Sequence, residues 1–173
     1  MLSESVLLIY LSGVACLAKC LGEIMREGKE TFYLEPTQES GRAFVTRRIA
    51  GSVVMLNLLR FRKVADYSAT PELAPQTEIS GEQAYQLYIK HTMPHLTQSG
   101  GELLFLGDGG NFLIGPANER WDVAMLVRHR SVDVFISFAS NQSYLAGVGH
   151  RLAALEDSRL LPLVESNLPL SLF

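Results

Sequence analysis

Apolar residues fill Val53-Val54-Met55-Leu56 and resume at Leu58-Leu59 before Arg60, with Asn57 the one amide among them. The run has the length and β-branched content of a strand. Val53, Met55, Asn57 and Leu59 fall on one face, Val54, Leu56, Leu58 and Arg60 on the other. Apolar side chains on both faces predict burial on both. Upstream, a helix is predicted over about 37–50, with Thr37 as cap, Glu39 in the first turn, and Arg42, Arg47 and Arg48 toward the end, where cations suit the helix dipole. Phe44, Val45 and Ile49 supply its inner side, and Gly51 stops it.

Phe61 to Ile79 contains Pro71 and Pro75 and keeps no period, so it reads as a surface loop. Ser80-Gly81-Glu82-Gln83 has the spacing of a capping box. In the helix that follows, Ala84, Tyr85, Leu87, Tyr88, Ile89, Thr92 and Leu96 share one side with His91 and His95. Pro94 is predicted to kink or end that helix, and Gly100-Gly101 to close it. Glu102–Leu106 reads as a strand, Gly107-Asp108-Gly109-Gly110 as a turn, and Asn111–Ile114 as the returning arm of a hairpin. After the break at Gly115-Pro116, Trp121 to Val127 forms another strand. Ser131 caps a helix with Val132, Phe135, Ile136 and Phe138, and Asn141 opens a helical stretch through Tyr144, Leu152 and Leu155, weakened at Gly147 and Gly149. Leu160–Val164 is the last strand.

From Val53 onward the order is strand, helix, strand-hairpin-strand, helix, strand, which predicts an α+β, ferredoxin-like βαββαβ sandwich with an antiparallel sheet. Two helices cover one face of such a sheet. The other, apolar on Val54, Leu56 and Leu58, therefore calls for a partner, and a homodimer with sheet facing sheet meets that need.

At 173 residues and 47% apolar content, the chain suits one domain. A net charge of −3 and a pI near 5.8 argue against nucleic acid or an anionic membrane surface as partner. The two cysteines, Cys16 and Cys20, stand four apart near the start and cannot staple distant loops. Residues 1–24 form an apolar extension whose Val6–Ala18 stretch is too short to span a bilayer. It lacks the basic start of an export signal. It reads as a packing helix, or as an extension that a start at Met25 would omit, with the domain over 25–173 and a cytoplasmic location.

Val53–Phe61, Gly100-Gly101-Glu102, Gly115–Asp122 and His150–Arg159 together resemble an uncharacterised bacterial family, domain of unknown function thirteen-thirty, of the dimeric α/β-barrel superfamily. The resemblance covers roughly residues 33–165. Its pattern is a glycine pair, a tryptophan-led strand and an arginine-bearing last helix, and the resemblance implies a ferredoxin-like homodimer. In the wider superfamily it implies activities as different as cofactor-independent oxygenases, lactone isomerases and haem proteins, so fold alone does not fix chemistry.

Asn57 among aliphatics must find a hydrogen bond, since an unpaired buried amide costs about 1–3 kcal/mol. Either a neighbouring loop or a dimer mate supplies it, or the amide points into a pocket under the sheet. Tyr88 and His91 face the same sheet as candidate proton-transfer groups. Asn57, Arg60, His95, Trp121, Arg128, Tyr144 and Arg151 are candidate substrate-binding groups, with the arginines suited to an enolate or carboxylate oxygen. A carboxylate such as Asp157 is the alternative partner for those arginines. His91 and His95 have the spacing of a metal pair, but Pro94 disturbs it and no H-E-x-x-H pattern is present, so no metal is expected. No phosphate loop, dinucleotide fingerprint or nucleophile elbow occurs, and no bound cofactor is expected. Two readings follow: an enzyme on a compact, oxygen-bearing small molecule, or a non-catalytic ligand-binding or structural homodimer. They separate on whether Asn57, Tyr88 and His91 converge on an open cavity or satisfy one another.

Overall fold

Helices start where the sequence offers side-chain acceptors for free amides. In the computed structural model, which describes residues 32–166, Thr37 accepts the Ser40 amide at 3.1 Å and opens α1 (Gln38–Thr46). Ser80 and Gln83 form the reciprocal capping box, at 3.1 and 2.9 Å, that heads α2 (Gly81–Gln98). Ser131 caps α3 (Val132–Ala139), Asn141 caps α4 (Gln142–Leu145), and α5 (Val148–Ala154) follows Gly147. The strands are β1 (Val53–Phe61), β2 (Glu102–Asn111), β3 (Arg120–His129) and β4 (Leu155–Leu163). The apolar segment 1–24 and both cysteines lie outside the described residues.

The class is α+β, as expected, with one four-stranded sheet in the order β2-β3-β1-β4 and every pairing antiparallel. Asn57 in the middle of β1 stands opposite Met125 of β3 and Leu160 of β4. Leu59 and Met125 pack with Ala84, Tyr85 and Tyr88 of α2 and with Ala154 and Leu155, which makes this face the core. By strand alternation Val54, Leu56 and Leu58 point the other way, and they are only half-buried. Leu56 is flanked there by Leu126 and Leu161, the latter 52% exposed.

Several sequence expectations need correction. Pro94 does not end α2; the helix runs to Gln98 because Thr92 and Leu96 stay anchored in the core. It then closes where Gly100, at φ +75°, lets Gly100 and Gly101 donate to the Thr97 and Leu96 carbonyls. Gly107–Gly110 is no turn: β2 passes straight through it, and the chain reverses over residues 112–119. None of those glycines has positive φ, and a Cβ on Gly109 would collide with the Trp121 carbonyl, so glycine there serves close approach of β3. The helical stretch expected to run on through Leu155 stops at Ala154, with Arg151 on it as expected, and β4 already starts at Leu155, five residues ahead of the expected Leu160. Helix α1 ends at Thr46, short of the expected 50, with Arg48 at φ 48° and Gly51 at φ +80° turning the chain into β1.

Candidate cavity between sheet and helices

The core face of the sheet does not meet the helices everywhere. Between β1, β3, α1, α2, α3 and α4 lies a cavity of about 810 Å³, within the range of small-molecule sites. Met55, Met125 and Val127 form its floor, Leu96 and Ile89 one side, and Phe135 and Phe138 another.

Aromatic rings run along this wall in sequence. Tyr85 and Tyr88 have centroids 5.3 Å apart, Tyr88 and Tyr144 6.4 Å, and Tyr144 and Phe138 4.5 Å. Phe138 meets His129 at 5.5 Å, His129 meets Phe135 at 5.1 Å, and Phe135 meets Phe44 of α1 at 5.8 Å. The edge-to-face and tilted geometries suit ring quadrupoles. Helical spacing puts Tyr85, Tyr88 and Thr92 on the inner side of α2, and the α3–α4 turn brings Phe138 against Tyr144.

Polar groups interrupt the apolar lining at few points. The Tyr88 and Tyr144 hydroxyls are 3.1 Å apart. Asn57 donates Nδ2–H to the Met55 carbonyl of its own strand at 3.1 Å. Arg151 donates to the Leu34 carbonyl at 2.7 Å and to Ser158 Oγ at 3.1 Å, which ties the 33–36 segment over the cavity's edge. Glu35 lies on the same edge; burial raises its carboxyl above the usual range, and the Arg151 guanidinium opposes that rise. Burial also raises the Tyr85 phenol.

Two further groups escaped the sequence reading. Thr92 shows in the sequence only as a residue of the helix's inner face, and His129 belongs to no motif. Both line the cavity, 7% and 2% exposed, and neither Thr92 Oγ1 nor His129 Nδ1 has a hydrogen-bond partner among the described residues. Burial pulls the His129 imidazole down to about 4, which keeps it neutral near pH 7. Extending the alternation of Val123, Met125 and Val127 by one step reaches His129, and that is the signal that would have found it.

Of the expected site residues, Asn57, Tyr88, Tyr144 and Arg151 line the cavity, whereas His91, His95, Arg60, Trp121 and Arg128 do not. His91 turns its Nε2 to the carbonyls of Ser143 at 2.8 Å and Tyr144 at 3.2 Å. Both acceptors are carbonyls, so this nitrogen carries the proton, and the ring joins α2 to α4 beside Gly147. His95 stacks on it at 5.1 Å. Arg60 pairs with Glu156 and Asp157, at 3.3 and 3.7 Å. Asp157, itself buried, also takes Arg159 at 2.5 Å and the Tyr33 amide at 2.7 Å. Trp121 donates to Glu119 at 3.0 Å beneath the Arg159 guanidinium, and Arg128 pairs with Glu102 across β2 and β3. No group of three or more histidines, cysteines and carboxylates able to hold a metal occurs among the described residues, and no described helix is long and apolar enough to cross a membrane.

No protein-family model matches the chain, and no curated protein does. Solved structures do. The RPA0582 protein of unknown function from Rhodopseudomonas palustris is 34% identical, over 77% of this chain and 96% of that one, with a TM-score of 0.67. The methylated RPA0582 protein is 32% identical over 80% of this chain and 98% of that one, with a TM-score of 0.71. An uncharacterized NIPSNAP domain protein from Burkholderia xenovorans shares 13% identity over 68% of this chain and 97% of that one at a TM-score of 0.40, too distant to bear on chemistry.

Proposed function

Because the chain belongs to the family of the Rhodopseudomonas palustris RPA0582 protein, whose fold sets no activity, we propose a function from the cavity: the protein binds a compact, partly apolar, oxygen-bearing small molecule between sheet and helices. The carrying observation is a space of about 810 Å³ with an apolar lining and a few convergent polar groups. Apolar contact supplies affinity, and the Tyr88–Tyr144 hydroxyl pair, the free face of the Asn57 amide and the Arg151 edge orient the ligand's oxygens. Tyr88 is positioned to give or take a proton through Tyr144, and Asn57 to hold a developing oxyanion. Isomerisation or oxygenation without a tightly bound cofactor is the class of reaction this supports, in line with the resemblance to the dimeric α/β-barrel superfamily.

The second reading, a non-catalytic binding dimer, is favoured by a different observation. Tyr88 with Tyr144, Asn57 with its own strand, and His91 with the α4 carbonyls each satisfy local partners. A thermal-shift screen of small molecules tests the common premise, since a ligand that binds only the folded state raises its melting temperature. Hits that vanish in Met125→Trp, which fills the cavity, support it; a screen without hits, or hits indifferent to that substitution, overturns it. Mass spectrometry of the hits after incubation then separates turnover from binding.

The strand order supports a ferredoxin-like βαββαβ unit. The half-buried row Val54, Leu56 and Leu58, with Leu126, Leu161 and the 54% exposed Phe105 beside it, supports a second copy of the chain across that face.

A further inference from the structure

Arg60, Arg120, Arg128 and Arg159 each pair with a carboxylate. Three arginines line the cavity, and of these only Arg159 is so matched, by Asp157 at 2.5 Å. The other two, Arg47 and Arg151, form no ion pair among the described residues. Arg47 donates to the Pro162 carbonyl at 3.0 Å, and Arg151 to the Leu34 carbonyl and Ser158 Oγ. Against these two cations the described lining sets a single carboxyl, Glu35, whose neutral form burial favours. The chain as a whole carries a net charge of −3, so a positive edge on an apolar cavity runs against its overall charge and favours an anionic guest.

The two cations are anchored on β4 at Ser158 and Pro162, about 13 Å apart along the strand, which gives the edge one cation at each end. Arg151 is the stronger anchor. It is half-buried where Arg47 is exposed, so water and salt screen it less. Its bonds to Leu34 and Ser158 use two of five N–H groups and hold the guanidinium in place. Its charge is felt both by Glu35 and by the Tyr85 phenol of the aromatic wall. From β4 across β1 to β3 is two strand spacings, about 10 Å. A guest held at Arg151 that crosses this distance reaches the apolar floor at Met125 and Val127.

Resting on the small-molecule reading of the cavity and sharpening it, we propose that the ligand is a monocarboxylate with an apolar body, its carboxylate bonded by the Arg151 guanidinium and its body lying across β1 onto Met125 and Val127. The planar guanidinium suits the two oxygens of a carboxylate. Arg47 adds to the attraction from the far end of the edge, and Glu35 opposes it when ionised.

Titration calorimetry on the full chain, with decanoate against 1-decanol and 2-naphthoate against 2-naphthol as matched pairs, tests this. In each pair the carboxylate is expected about tenfold or more ahead of the neutral probe, the size of one hydrogen bond to a charged group. Arg151→Met removes that lead, and Arg151→Lys keeps part of it, since an ammonium retains the charge without the planar fork. Arg47→Met costs the carboxylates less than Arg151→Met does. Glu35→Gln tightens both carboxylates and neither neutral probe. Should Arg151→Met not fold, the wild-type pairs and Glu35→Gln decide alone. A neutral probe binding as tightly as its carboxylate, carboxylate affinity unmoved in Glu35→Gln, a larger carboxylate loss in Arg47→Met, or Arg151→Met weakening all four probes alike overturns the assignment while leaving the small-molecule cavity standing. Failure of all four probes, together with a thermal-shift screen without cavity hits, overturns both.

Discussion

The hydroxyls of Tyr88 on α2 and Tyr144 on α4 stand 3.1 Å apart at the cavity wall, joining two helices whose sequences are 56 residues apart. Tyr88 is buried, so a lost partner is felt. Tyr144→Phe should lower unfolding free energy by about 1 kcal/mol, the net worth of one such bond. Tyr88→Phe combined with it should cost less than the two single changes summed. Urea titrations of the four proteins give the coupling, and strict additivity within about 0.3–0.5 kcal/mol would remove the bond from the account.

Gly81 is where the head of α2 meets two other backbones. Its amide donates to the Arg62 carbonyl at 3.1 Å, and the Arg62 amide donates to the Ala154 carbonyl at 2.9 Å. A Cβ on Gly81 would collide with both of those carbonyl oxygens, neither of which can swing aside. Gly81→Ala should destabilise by about 1–3 kcal/mol through overpacking. Gly110→Ala, where nothing lies within 4 Å, should stay within about 0.5 kcal/mol of wild type. Denaturation midpoints of the two variants make the comparison, and an equal loss at both positions would contradict it.

Stability should fall in mild acid. His129 titrates near 4 in the folded chain against 6.5 unfolded, so below 6.5 the unfolded chain binds the extra proton. Its contribution is complete above about 6.5 and is lost as pH drops toward 4, by at most about 3 kcal/mol. His150, lowered by burial and by nearby His91, acts in the same direction. Glu35 acts in the opposite one: its raised pKa costs stability once it ionises, and protonation relieves that cost. Melting temperatures from pH 7 to 4 should therefore decline in the wild type and decline less in His129→Phe. Parallel curves would show that His129 is accessible to protons in the fold.

Element boundaries were legible wherever a cap was local. Thr37, Ser80, Ser131 and Asn141 each satisfy amides within three residues, and Gly100 takes the positive φ that its place after α2 implies. What failed to show depends on distant partners. Gly107–Gly110 looks like a turn because a glycine needed for close approach to Trp121 reads the same as one needed for positive φ. Glu156-Asp157-Ser158 is polar and precedes the expected strand at Leu160, yet it lies in β4, where Asp157 is buried by the Tyr33 amide, 124 residues away, and by Arg60 on the adjacent strand. The cavity was half visible: Asn57, Tyr88, Tyr144 and Arg151 lay on readable faces, whereas the turning of His91 toward α4 depends on how the chain breaks at Gly147.

The sheet face opposite the cavity yields the last expectation. Leu56 sits at its centre, opposite Leu126 on β3 and Leu161 on β4, and Arg128 with Glu102 marks one margin. In a twofold interface centred on this face, a residue near the axis meets its own copy, and a charge introduced at Leu56 is in either case buried against the apolar row of the partner. Leu56→Lys should convert a dimer to a monomer in light scattering behind a sizing column. Its far-ultraviolet spectrum should be unchanged, because Leu56 contributes nothing to the core around Leu59 and Met125. If the mass in solution is the same for both proteins while the spectrum holds, this face is not where two copies meet, and the conclusion about the cavity on the other side stands without it.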